Sequence, residues 1–99
     1  MNIAKMLQQA QAAQAQLQKA LGELETEGSA GGGLVRVRLS GLKELKSVQI
    51  DTAALQGEEA GLVADLVMAA WEEASRQLEE QSKALLSRMG MPAGLSGLL

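Results

Sequence analysis

A seam of apolar residues spaced alternately three and four apart runs through the first 24 positions: Ile3, Met6, Ala10, Ala13, Leu17, Ala20 and Leu24. That spacing places all seven on one side of an α-helix. The positions between them are mostly Gln and Ala, which favour helix and keep the other side polar. Asn2 is suited to cap the helix start. A helix of this length is roughly 35 Å long, and its apolar side has to be covered. The alanines on the seam let another helix approach closely.

After the seam the pattern changes. Glycines crowd into the stretch GSAGGG from Gly28 to Gly33, and such clusters can cradle phosphate. A phosphate loop, however, follows a strand and opens a helix, usually with a lysine and a hydroxyl. Here Leu34, Val35, Arg36, Val37, Arg38 and Leu39 follow, alternating with the period of a strand. The glycines therefore read as a turn that uses positive φ, between a short strand at 25–29 and a longer one at 34–40. A third strand at 45–51 offers Val48 and Ile50 to the apolar face, with Lys46 on the same side by parity. Together the three read as an antiparallel meander with one buried face. A short helical turn is expected at 53–56, broken by Gly57.

A last helix is expected over 58–89, with an apolar stripe that includes Val63, Leu66, Val67, Ala70, Trp71, Ala74, Leu78, Leu85 and Met89. Glu58 and Glu59 at its start, and Lys83 and Arg88 at its end, suit the helix dipole. Gly90, Met91 and Pro92 stop it. The remaining 91–99 lack periodicity and are expected to form a loose tail, which leaves one domain over 1–90. The fold class is α+β in the order α-β-β-β-α, a small antiparallel sheet flanked by two long projecting helices. If those helices pack antiparallel, the start of the first and the end of the last meet at the tip farthest from the sheet.

That tip would be basic. Net charge is −3, but it is unevenly spread. Residues 1–22 carry Lys5 and Lys19 and no acid, and 81–99 carry Lys83 and Arg88 and no acid. Residues 51–80 carry Asp51, Glu58, Glu59, Asp65, Glu72, Glu73, Glu79 and Glu80 against Arg76. Trp71 is the single aromatic residue, and a small core of Ala, Leu and Val is marginal alone, so an oligomer is expected. Cysteine and histidine are both absent, which removes thiolate metal sites, disulfides and nucleophile–histidine catalysis. No metal, cofactor or enzymatic activity is expected. The apolar runs are too short to cross a membrane and no signal peptide opens the chain, so a cytoplasmic location is expected.

Several of these pieces in order, MLQQAQAAQAQLQKAL, EGSAGGGLVRVRLSG, VQID and LVADLVMAAWEEASRQ, resemble the YbaB/EbfC family of bacterial nucleoid-associated proteins. The resemblance covers nearly the whole chain. It departs at Thr52, where many relatives have Pro, at Thr26, where Val is usual, and at Arg38, where Thr is common. It implies an α-β-β-β-α subunit, an intertwined or sheet-mediated homodimer with helices projecting like tweezers, and binding of double-stranded DNA with little sequence preference by the helical tips. A nucleoid location follows from the same resemblance.

On this reading the candidate DNA contacts are Lys5, Gln8, Gln9, Lys19, Lys83 and Arg88, the basic residues as phosphate partners. Candidate dimer-interface residues are Val35, Val37, Leu39, Val67 and Trp71. The sheet cluster Arg36, Arg38, Lys43 and Lys46 reads better as pairing with Glu25 and Glu27 than as a second nucleic-acid surface, because no aromatic platform accompanies it. Asp65, Glu72 and Glu73 read as a solvated face. Two alternatives compete. A prefoldin-like, chaperone-type arm would grip clients through Leu85, Leu86 and Met89. An adaptor would meet replication or repair proteins through the acidic face of the last helix.

Overall fold

The computed structural model describes residues 2–90. Its elements are α1 (Ile3–Glu23), β1 (Glu25–Ala30), β2 (Val35–Ser40), β3 (Leu45–Ile50) and α2 (Ala60–Arg88), the expected α-β-β-β-α order. Asn2 caps α1 by accepting a hydrogen bond from the Lys5 amide at 3.2 Å. The three strands form one antiparallel sheet in the order β1-β2-β3. Gly31, Gly32 and Gly33 all take positive φ in the turn that returns β1 as β2, so the glycine cluster is a chain reversal. Residues 52–57 form the single helical turn expected there: the Leu55 amide donates to the Asp51 carbonyl at 3.1 Å, the Asp51 carboxylate accepts from the Ala54 amide at 3.0 Å, and Gly57 ends the turn at a φ of 87°. The tail at 91–99 lies outside the described residues.

One face of the sheet is covered by α2, which packs across β1 and β2. Val35, Val37 and Leu39 point into this contact and meet Ala70, Ala74 and Leu78. The helix comes unusually close to β1. A Cβ built on Gly28 would fall 2.1 Å from the Ala70 carbonyl oxygen and 2.4 Å from the Ala74 amide nitrogen. Small residues on both sides, Gly28 on the strand and Ala70 and Ala74 on the helix, make that approach sterically allowed. Two residues along β1, the buried Thr26 Oγ1 donates to the Ala74 carbonyl oxygen at 2.9 Å. The hydroxyl at this unusual threonine therefore ties strand to helix. Thr26→Val keeps the shape and removes the bond, and is expected to cost about 1 kcal/mol, read as a lowered urea midpoint with an unchanged slope.

The third strand lies outside the cover of α2. A register shift between Arg38 and Leu39 pairs Leu39 with Leu45, so Lys46 is the extra residue of a bulge. Parity alone had placed Lys46 on the inner face. The bulge puts Leu45 there instead, beside Val48, and Lys46 bonds Glu44 at 3.1 Å. Leu45, Val48 and Ile50 all remain exposed.

The two helices overlap far less than expected. They meet where Leu17 and Leu21 of α1 pack against Leu86, with Leu24, Leu85 and Met89 alongside. Because α2 ends at Arg88, α1 has no helix beside it before that point among the described residues, and residues 2–16 are exposed throughout. The subunit is a rod of 68 × 18 × 18 Å with a radius of gyration of 18.0 Å, against about 13 Å for a compact chain of this length.

Candidate nucleic-acid interface

The free part of α1 carries the two kinds of surface that its sequence encodes. Lys5, Gln9, Gln16 and Lys19 are spaced four, seven and three apart, so they share one stripe of the helix, with Gln8 at its edge. Ile3, Met6, Ala10 and Ala13 lie on a stripe centred roughly 130° away. All are exposed. Lys5 and Lys19 stand about 21 Å apart along the axis, with no acid between them. Among the described residues neither lysine has an ion-pair partner. The stripe offers lysine charge and glutamine donors along one side of the helix, groups that can contact phosphates.

Lys83 and Arg88 sit elsewhere. They flank the point where Leu86 meets Leu17, and Lys5 projects about 18 Å beyond it. The expected basic tip, with the start of α1 beside the end of α2, is therefore not formed within one subunit. The reason is stagger: the last turns of α1, not its first, lie against α2. Lys83 also pairs with Glu79 at 3.4 Å, which offsets part of its charge. Arg88 is exposed at the end of α2.

The sheet cluster divides. Arg38 lies between Glu25 and Glu27, at 3.9 and 4.0 Å, and Lys46 pairs with Glu44. Arg36 faces Ser29 and Gln49 across the strands, and among the described residues it has no acid partner. On the acidic side, Glu73 accepts from the Ser29 amide at 3.1 Å and from Gln77 at 3.2 Å.

The candidate interface residues also separate. Val35, Val37 and Leu39 are 0%, 1% and 3% exposed. They are packed into the subunit's own core and expose almost no surface. Val67 is half-buried and Trp71 is 50% exposed. These two line a groove of about 320 Å³ with Val37, Leu45, Val48, Met68 and Glu72, where α2 stops short of β3. The sequence reading missed Leu45 and Met68 there. Met68 lies three residues before Trp71, one helical turn away, and that spacing was the available signal. The client-gripping surface proposed at Leu85, Leu86 and Met89 is closed, because Leu86 is buried and the other two pack against α1.

Among the described residues no group of three or more acidic side chains could hold a metal ion, and no helix is long and apolar enough to cross a membrane. A model of the YbaB/EbfC DNA-binding family matches residues 1–93. A nucleoid-associated protein of Xylella fastidiosa is 47% identical over 92 residues, covering 90% of this chain and 81% of that protein. One from Rhodopseudomonas palustris is 40% identical over 95 residues, covering 92% and 90%. The crystal structure of the uncharacterized protein HP0035 from Helicobacter pylori superposes with a TM-score of 0.69 at 28% identity, covering 90% of this chain and 97% of that one.

Proposed function

Since the chain belongs to the YbaB/EbfC DNA-binding family, we propose that it binds double-stranded DNA as a homodimer, without catalysis, through the lysine and glutamine stripe of α1 and the basic end of α2, and that it works on the nucleoid in the cytoplasm. The observation that carries this reading is the free part of α1. It is fully exposed, free of acids, and lined on one side by Lys5, Gln8, Gln9, Gln16 and Lys19. Lys83 and Arg88 extend the basic surface at the level where α1 and α2 meet. No aromatic side chain is available to stack on bases there, and the donors are long and mobile. Sequence preference is accordingly weak.

Homodimerisation is supported by what the single subunit leaves open. It exposes 6854 Å², where a compact chain of its mass exposes about 5,400 Å². The excess is comparable with what one partner buries in a stable complex. Val67 and Trp71 are the interface residues this reading retains.

The test is fluorescence anisotropy of labelled duplexes of unrelated sequence over a salt series. Kd is expected to agree within a few-fold between duplexes and to rise with salt, with a log–log slope of several units. Absence of binding at low salt, or binding indifferent to salt, would defeat the proposal.

A further inference from the structure

Among the described residues the apolar seam of α1 is covered over only part of its length. Leu17 and Leu21 lie against Leu86, with Met89 alongside, and there α2 stops. Gly90 closes it with a φ of 77°, its amide donating to the Ser87 carbonyl oxygen at 3.0 Å. Toward the start of α1, Ile3 is 70% exposed, Met6 53% and Leu7 59%, and Ala10 and Ala13 are exposed as well.

We propose that residues 91–99 of the same subunit take over from α2 and cover this bare seam, running along α1 toward its start. The segment, MPAGLSGLL, lies outside the described residues, and three observations fit it to this place. The first is position. Leu24 reaches the core that holds Leu78, while Leu17 lies at Leu86, so the two helices run in opposite directions where they touch. Gly90, four residues past Leu86, therefore stands about level with Ala13, where the bare seam begins. The second is reach. From Ala13 to Ile3 the helix rises about 15 Å, and nine residues of extended chain span about 30 Å. Pro92 lacks an amide hydrogen and holds the residue before it out of the α region, which favours extended chain over more of α2. The third is chemistry. The segment carries Met91, Leu95, Leu98 and Leu99 and no charged side chain. A seam of Ile, Met, Leu and Ala has no group to answer a charge, so a charged cover would bury it unpaired. The stripe of Lys5 and Lys19 lies roughly 130° round the helix. The segment thus closes the apolar side of the arm without covering its cations.

The chain has no cysteine, so one introduced thiol carries a single label. Ser96→Cys keeps all four large apolar residues of the segment. In the full isotope-labelled chain, a nitroxide on that thiol is expected to broaden the amide resonances of residues 3–13. Broadening centred on Val48 and Met68 instead would put the segment in the groove beside β3 and overturn the proposal, as would an unbroadened α1. A second sample combines spin-labelled chains lacking the isotope with isotope-labelled chains lacking the nitroxide, mixed unfolded and refolded together. Broadening of 3–13 that persists there means the segment reaches another copy, and overturns the contact within one subunit. Leu95→Ser combined with Leu98→Ser is the independent check. The amides of 3–13 should then exchange with solvent several-fold faster while the strands keep their protection. Arm exchange at the wild-type rate would overturn the proposal. Neither measurement involves DNA, so the outcome is separate from that of the anisotropy series.

Discussion

Gly28→Ala is expected to cost on the order of 3 kcal/mol, the upper part of the range for forcing atoms into a packed site. In a domain of this size that lowers the melting temperature by about 15 °C. The added methyl would meet the Ala70 carbonyl oxygen and the Ala74 amide nitrogen at 2.1 and 2.4 Å. These are backbone atoms of a helix and cannot rotate away as a flexible side chain does. Either α2 lifts from β1, stretching the Thr26 bond to Ala74 and opening the contact with Val35 and Val37, or the strand bends. Gly32→Ala is the companion measurement. A Cβ there meets nothing within 4 Å, though its φ of 71° imposes a backbone penalty of about 1 kcal/mol. A thermal melt at fixed protein concentration separates the two. If Gly28→Ala melts no lower than Gly32→Ala, α2 does not approach β1 as described.

The second large effect is electrostatic. Lys5→Glu combined with Lys19→Glu is expected to weaken duplex binding on the order of a hundredfold at moderate salt, equally for unrelated sequences. The salt slope should fall by about three to four units if DNA is bound by the proposed homodimer, whose two subunits each lose two lysines that displace counterions. Both residues are exposed and unpaired among the described residues, so circular dichroism and melting should be nearly unchanged. Retention of affinity and slope by a folded double variant would take α1 out of the interface and leave Arg88 and Arg36, the latter without an acid partner among the described residues, as the cations to reverse next.

Much of this was legible in the residues. The alternation of Val35, Val37 and Leu39 with Arg36 and Arg38 gave the strand and its buried face, because a strand's period admits no other arrangement. The α1 seam likewise gave a helix with one apolar side. Periodicity names a face without naming its cover, and the misreadings share that cause. Leu17 and Leu21 touch α2 while Ile3 and Met6 do not, although Leu17, Ile3 and Met6 belong to the same seam. What separates them is where α2 ends relative to the sheet, a tertiary quantity. Val35, Val37 and Leu39 were assigned outward to a partner for the same reason, whereas Ala70, Ala74 and Leu78 cover them from within. Lys46 was misplaced because a bulge breaks the parity count, and nothing in the local sequence announces it. Of the candidate DNA contacts, helical spacing gathered Lys5, Gln8, Gln9 and Lys19. The stagger of the helices set Lys83 and Arg88 apart from Lys5.

The hydrogen bond from Thr26 to Ala74 bridges 48 positions of chain, and the chain passes between the two walls of the core through the turns before α2, which set the buried Leu55 into that core. The meander has no apolar layer of its own to close on, and α2 has no sheet until it meets β1 and β2. Neither half is a domain. The molecule is in effect two complementary pieces on a tether, so the tether's peptide bonds matter to how fast the pieces find each other and little to what they become once joined. Such a subunit is built like an assembly of fragments, held together where Val35, Val37 and Leu39 meet Ala70, Ala74 and Leu78.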